Sequence, residues 1–288
     1  MKQKERKKIS DSLYPIFRGR FATLPREVWQ NRRLVWKLAK NDFRKRYAGS
    51  SLGVIWALIQ PIVTVAVYYV VFDKVFNTRS QLLASGIEVP YVLFLTCGIV
   101  PWFFFHEGLT NSTQALIEYN YLVKKVVFNV SILPVIKLIA AAFIHVFFLV
   151  ILIVLAAIYG YYPTVYTLQI IYYSVCAFLF ILAAGYVTSA VVVFFKDLTQ
   201  IIAILLQVGM WATPILWDVS MIPGSWQLLF KLNPVYYLVL GFRNAIYGRT
   251  WFFEHTYTTI YFWVVTVLLF CCGTLLFRRM RPHFADVL

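Results

Sequence analysis

Residues 41–61 read NDFRKRYAGSSLGVIWALIQP, and their order decides the fold. A basic stretch carrying the spaced aromatics Phe43 and Tyr47 passes through a short AGSSLG hinge. It then enters an apolar run that opens at Trp56 and meets Gln60-Pro61 early. A cationic amphipathic segment lies in a membrane interface, and a proline inside a helix removes one backbone bond and kinks it. The stretch therefore predicts a helix lying on the inner membrane surface, a sharp turn, and a span with a polar, kinked entrance.

Composition agrees with a polytopic membrane protein. Of 288 residues, 61% are hydrophobic, 18% aromatic and 14% charged, and the mean hydropathy is +0.72; soluble domains carry far more charge. No Lys, Arg, Asp or Glu occurs from Leu138 through Phe195. About 20 apolar residues cross roughly 30 Å of hydrocarbon, so this stretch holds two spans, with Gly160–Pro163 as the turn between them. The net charge of +15 is concentrated, 15 of the 27 basic residues lying in the first 50 positions. That placement fits positive-inside topology and attraction to anionic lipid, and argues against nucleic acid as a partner. Cys97, Cys176, Cys271 and Cys272 fall in apolar segments without metal-ligand spacing and read as small core residues. The highly charged MKQKERKKIS start does not fit a cleaved signal peptide.

The fold class expected is an all-α membrane protein with six transmembrane helices, at about 52–72, 89–110, 134–160, 166–195, 199–217 and 256–277. Residues 1–50 form a basic N-terminal part and 51–288 the transmembrane domain. An even span count puts both termini on one side. Assigning them to the cytosol leaves 22 basic residues inside and only Lys74, Arg79, Lys231, Arg243 and Arg249 outside, so the charge rule favours cytosolic termini. Within 28–47, Val28, Trp29, Val35, Trp36, Ala39, Phe43 and Tyr47 share one arc at helical periodicity, and Arg33, Lys37, Lys40 and Arg44 the neighbouring one. Arg32 and Arg46 fall on the apolar arc, where each needs to snorkel or to find a partner. Between spans five and six a twelve-residue apolar run, Val235–Ile246, is interrupted by Gly241 and Arg243. It is too short to cross, so a re-entrant helical hairpin on the outer side is predicted, with turns at Pro223-Gly224 and Asn233-Pro234.

Several chemistries are missing from the sequence. There is no G-x-x-x-x-G-K-[ST] phosphate loop, no H-E-x-x-H and no G-x-S-x-G. A membrane enzyme acting on a polyprenyl phosphate would need an acid or histidine constellation that is not found, and no filter motif supports a self-contained channel. Glu107 beside His106 near a span end is either a proton-handling pair or a solvated boundary. His145, deep in span three, reads as a packing histidine hydrogen-bonded to a neighbouring helix. The link 111–134, NSTQALIEYNYLVKKVVFNVSILP, carries Tyr119, Tyr121, Lys124, Lys125 and Phe128 before Pro134. A short helix of this kind suits either docking into a groove on a soluble partner or anchoring in the interface.

The chain resembles the membrane subunits of ABC-2-type exporters for lipid-linked polysaccharides, the O-antigen and wall teichoic acid permeases. The resemblance is carried in order by LAKNDFRKRYAGSSLGVIWALIQP (38–61), GIVPWFFF (98–105), YLVKKVVFNVSILP (121–134), VVFFKDLTQI (192–201), QVGMWATPILW (207–217), NPVYYLVLGFRNAIYG (233–248) and the C-terminal FRRMRPHFADVL. It implies a non-enzymatic half-transporter of a bacterial plasma membrane that forms a homodimer. Two copies of a separate phosphate-loop ATPase would bind the ATP and Mg, with no cofactor in this chain. It further implies that Tyr119, Tyr121, Lys124, Lys125 and Phe128 belong to a coupling helix on that ATPase. The helix bearing Trp29, Trp36, Phe43, Arg44, Lys45, Arg46 and Tyr47 would be a gate helix at the cytosolic entrance, and the hairpin with Asn233, Pro234, Tyr236, Tyr237 and Arg243 would shape the exit. Asn129 stands where many O-antigen exporters have a Phe-Pro pair, which leans towards teichoic acid as cargo.

On this reading Arg44, Lys45 and Arg46 offer charge-assisted bonds to a polyprenyl pyrophosphate, or bind anionic membrane lipids. Trp56, Gln60, Pro61, Trp102, Phe103, Phe104, Trp211 and Trp217 are the candidates for a neutral, largely aromatic pathway lining. A permease for a small amphiphile such as a drug or lipid predicts the same fold and is the alternative.

Overall fold

The computed structural model describes residues 23–76, 80–82, 88–125 and 128–288, excluding the side chains of 23–25, Leu58, Gln60 and 81–82. Long apolar runs free of helix breakers satisfy their backbone internally as helices, and four helices here are long and apolar enough to cross a membrane. They contain α4 (Tyr91–Glu118), α6 (Leu133–Ile158), α7 (Gln169–Val192) and α11 (Thr256–Met280). Helix α4 is the central post. It packs on both α6 and α7, α11 lies against α7, and its first half is almost wholly buried.

Two further segments run between the same two ends of the bundle. Helix α3 (Trp56–Tyr68) continues as a wider π-helical stretch, Tyr69–Val75. It starts near the basic N-terminal helices, and its far end sets Phe72 4.9 Å from the Tyr91 ring at the start of α4. Helix α8 (Leu198–Ala212) is shorter. It leaves the end where Phe194 meets Phe284, and the turn after it brings the Leu216 carbonyl to within 2.7 Å of the Tyr91 hydroxyl. Each of the six predicted segments thus contains a helix, four of them long and apolar enough to cross a membrane and the first and fifth shorter, with shifted bounds. The second extends to Glu118 rather than stopping near 110, because NSTQALIE continues a helical pattern on the protein after the apolar run ends. The fifth is helical only to Ala212, where Thr213 turns extended and the Thr213-Pro214 pair stops the helix.

The prediction of purely helical structure misses a small antiparallel pair, β1 (Ser80–Leu82) with β2 (Glu88–Pro90). The single amphipathic helix expected over 28–47 is divided into α1 (Thr23–Gln30) and α2 (Arg32–Lys45). At the break, Asn31 turns its side-chain amide back onto the Glu27 carbonyl at 2.8 Å, the local competition typical of Asn inside a helix.

Between α8 and α11 the chain folds into α9 (Gly224–Lys231) and α10 (Pro234–Arg243), the latter running on as a π turn, Asn244–Gly248. Asn233 caps α10 by accepting from the Val235 N–H at 3.0 Å and donates to Thr213 at 2.9 Å, while Pro234 takes the first helical position, where no donor is needed. Helix α10 is buried against α4 and α7. Its Arg243 lies over the Phe94 ring at 3.6 Å and donates to the Ile215 carbonyl at 2.9 Å, tying the hairpin to the turn after α8.

Close approach of α10 to α7 requires Gly241, because a Cβ there would fall 2.2 Å from the Tyr173 ring. Tyr173 is itself buried and packed edge-on to Tyr172 and Tyr237, so it cannot step aside freely. Gly241→Ala is expected to destabilise the fold by about 1–3 kcal/mol, the usual cost of overpacking. Thermal denaturation of the detergent-solubilised chain checks this; an unchanged midpoint would mean that the hairpin is not seated here.

Candidate functional site

Helix α2 carries Val35, Ala39, Asp42 and Phe43 on one buried stripe, a spacing that puts all four on the same helical face. The apolar members pack on α6, where Phe43 and Trp36 each meet Phe143 edge-on at 5.4 Å. A buried carboxylate on such a stripe is costly unless paired and hydrogen-bonded. Asp42 is both: its Oδ1 accepts from Lys137 Nζ at 2.8 Å and from the Tyr119 hydroxyl at 2.7 Å. Lys137, on the first turns of α6, is likewise buried, and it also donates to Glu118 at the end of α4. Its ammonium lies 5.0 Å from the Tyr119 ring. Burial, and then the neighbouring Asp42 carboxylate, push the Tyr119 phenol well above its ordinary pKa, so it remains a donor. One buried constellation thus joins α2, α4 and α6.

A second link lies one turn further along. Arg46 is ion-paired to Glu107 of α4, and its other terminal nitrogen stands 3.8 Å from Asp42 Oδ2. Asn111 also approaches Glu107, at 3.5 Å. Two clefts flank Arg46. The larger, of about 500 Å³, is lined by Tyr47, Thr64, Phe103, His106, Glu107 and Asn111 among others. The other, of about 460 Å³, has Asp42, Lys45, Asn111, Glu118, Tyr121 and Lys137 in its wall.

The residues predicted from sequence distribute unevenly. Arg44 and Lys45 are exposed, and Arg46 and Tyr47 half-buried. Trp29 and Trp36 stand out from the protein surface, 70% and 56% exposed, although they share the arc of the buried Val35 and Ala39. Both arginines on the apolar arc find partners. Arg46 takes Glu107, and Arg32 lies 5.2 Å over the Trp29 ring and donates to its carbonyl at 3.2 Å.

The aromatic candidates do not gather on one wall. Trp102 and Phe104 are buried inside the bundle, the latter stacked on His145 at 4.3 Å, and Trp102 borders a cleft of about 290 Å³ with Phe105, Leu206 and Asn233. They fill space between α4 and its neighbours; a Cβ on Gly209 of α8 would already touch Trp102 at 2.9 Å. Phe103 borders the larger cleft. Trp56 and Trp211 are exposed, Trp217 is half-buried with its indole N–H on the Trp211 carbonyl, and Pro61 is buried. The Gln60 side chain lies outside the described residues.

In the 111–134 link the helix is brief, α5 (Asn120–Val123). Tyr121, Lys124 and Lys125 are exposed and Phe128 is half-buried; Val126 and Val127 lie outside the described residues. Tyr119 departs from the expectation of a docking residue, because its side chain is committed to Asp42 inside the protein. Asn129 has a local structural task, accepting from the Ser131 N–H at 3.2 Å to cap a short helical turn, Val130–Ile132. On the opposite side, Tyr236, Tyr237 and Arg243 are buried rather than presented to an opening. His145 meets Ser174 of α7 at 3.0 Å, the interhelical contact its position predicted.

Sequence reasoning passed over Asp42, Glu118 and the structural role of Lys137. The signal was present: Asp42 follows Val35 and Ala39 by seven and three residues, the spacing of a buried face.

Residues 33–247 match the family described as ABC-2 type transporter. This chain belongs to that family. It is a multi-pass membrane protein, and the paired residues Asp42, Arg46, Glu107, Glu118, Tyr119 and Lys137 all lie within the matched region. Among its relatives is the O-antigen export system permease protein RfbA of Myxococcus xanthus, 28% identical over 265 residues, which cover 91% of this chain and 98% of that protein. A protein of the same description from Klebsiella pneumoniae is 25% identical over 255 residues, 87% of this chain and 93% of its own length. The likeness therefore runs nearly end to end in this ABC-2 transporter chain.

Removing one partner from a buried ion pair strands the other charge, at a cost of about 3–5 kcal/mol. Lys137→Met should destabilise the ABC-2 chain by this order, and Asp42→Asn added to it should restore most of the loss. Thermal denaturation of the single and double variants measures the coupling; a double variant no more stable than Lys137→Met would deny it.

Proposed function

We propose that this chain is the permease subunit of an ATP-driven exporter, which moves a lipid-linked cell-surface polysaccharide from the cytosolic to the outer side of a bacterial plasma membrane. The observation that carries the reading is the nearly full-length relationship to permeases named for O-antigen export. The six helical segments are read as six membrane crossings with both termini cytosolic, in keeping with the charge distribution. A wall teichoic acid cargo remains the finer version offered by Asn129 and the basic N-terminus. The local capping role of Asn129 gives that residue a purpose independent of cargo, so the O-antigen-like polymer is preferred. A small amphiphile has no support from the relatives.

In mechanism, the exposed Arg44 and Lys45, with Arg46 at the cleft, receive the anionic head group of the lipid carrier through charge-assisted bonds. Helix α2 acts as the gate helix, docked on α4 and α6 through the Asp42 constellation. Two copies of the chain enclose the polymer path, with the exposed Trp56, Trp211 and Trp217 available to it. Two copies of a separate ATPase bind ATP and Mg and dock on the surface of Tyr121, Lys124, Lys125 and Phe128. Closure of the ATPases rocks that surface. Because Tyr119, immediately before α5, is bonded to Asp42 on α2, the displacement reaches the gate helix directly and the first and fifth segments of the two copies part.

Lys124→Glu with Lys125→Glu should lower export by about tenfold or more through like-charge or lost-pair effects at the docking surface, while the chain still inserts. Reconstituted vesicles containing the chain, its ATPase and a defined lipid-linked polysaccharide provide the assay. Export at the wild-type rate would remove the coupling assignment, and failure to move any lipid-linked polymer would remove the export reading itself.

A further inference from the structure

The basic triplet at 44–46 is functionally divided. Arg44 and Lys45 are exposed, and no ion pair among the described residues engages them. Arg46 is half-buried and already occupied. Its guanidinium forms the wall shared by the two clefts, gripped by Glu107 on one side and loosely opposed by Asp42 on the other. Across the 3.8 Å gap, neither Arg46 Nη2 nor Asp42 Oδ2 has a hydrogen-bond partner. Asp42 itself cannot follow Arg46, because its second oxygen is fixed by Lys137 and Tyr119.

This lopsided grip has a consequence for any anion that enters. Carboxylate and phosphate compete for the same planar donor fork of an arginine. An anion in the larger cleft, which Glu107 lines, reaches Arg46 Nη1 by replacing Glu107, and Asn111, 3.5 Å from that carboxylate, is placed to hold it after release. A phosphodiester head group brings one negative charge to this contest. A pyrophosphate brings more charge and a second phosphate group to the same guanidinium.

We propose that Glu107 is a specificity-determining competitor: Arg46 exchanges its carboxylate for the phosphate oxygens of a lipid-linked pyrophosphate. This rests on the export reading above and assigns the selection step within it. The exchange releases the C-terminal end of α2 from Glu107, while the Asp42 constellation keeps the helix on α6 and on the end of α4. Head-group arrival then pivots the gate helix instead of detaching it.

The test is binding of a polyprenyl pyrophosphate to the full-length chain in phosphatidylcholine nanodiscs, read as lipid occupancy by native mass spectrometry. Glu107→Gln should bind about fivefold more tightly than wild type, the equilibrium weight of a partly exposed ion pair, and Glu107→Ala should behave alike. Arg46→Gln should bind more weakly than wild type, and adding Glu107→Gln to it should bring no gain. Tightening is a readout that a damaged fold does not produce. If wild type binds and both Glu107 variants bind equally or less well, the exchange is overturned while the export reading stands. Absence of binding by wild type overturns both. Inorganic pyrophosphate displacing the lipid at equal concentration would overturn the lipid-linked ligand in favour of a free anion.

Discussion

The buried pair of Lys137 with Asp42 is the constraint around which this end of the molecule is arranged. Two opposite charges withdrawn from water are tolerated when they are paired and hydrogen-bonded, and here that demand recruits Tyr119 and Glu118 as well, with Asp42 Oδ2 left facing Arg46 across 3.8 Å. Satisfying it fixes the depth and rotation of α2 on the bundle, because Asp42 sits on the same stripe as Val35, Ala39 and Phe43. Apolar packing alone would allow the helix to slide or roll with little penalty. The pair converts a greasy contact into one with a defined register, so that Arg46, one turn on, faces Glu107 of α4.

The opposite end relies on a different device. Arg243 has no acid against it among the described salt bridges. Its charge is met by the Phe94 ring and the Ile215 carbonyl, a cation–π contact in a desolvated setting. Both ends therefore hold a secondary layer onto the α4 post through a buried cation. One uses carboxylates that can be contested by other anions. The other uses neutral partners that cannot, and its hairpin is correspondingly packed tight, with Gly241 pressed to Tyr173.

Much of this architecture is legible in the sequence because its determinants are local. Charge-free apolar runs place the long helices, Gly160–Pro163 marks a turn, and Asn233-Pro234 announces the start of α10. The amphipathic N-terminal helix was readable from periodicity, and the misfit of Arg32 and Arg46 correctly signalled a need for partners. What escaped depended on distance along the chain. Nothing near Asp42 indicates that Lys137 and Tyr119 close on it, and nothing near Trp102 or Phe104 distinguishes a core aromatic from one lining a path. Tyr119 looked like a docking residue since its neighbours Tyr121, Lys124 and Lys125 are exposed; its inward turn is set by α2. The break at Asn31 is a side-chain competition that hydrophobic patterning does not register.

Helix α8 has fifteen residues, about 22 Å at the helical rise, whereas α6 with twenty-six reaches about 39 Å. The outward face of α8, with Ile201, Ile204, Leu205, Val208 and Trp211 exposed, is therefore a lower apolar strip than α6 presents. Acyl chains meeting it must shorten or tilt to match, since hydrocarbon and protein thickness equalise at a contact. Any lipid chain that reaches this strip, including the carrier chain of the proposed cargo as it passes between the first and fifth segments of two copies, has less apolar height to match there than along α6.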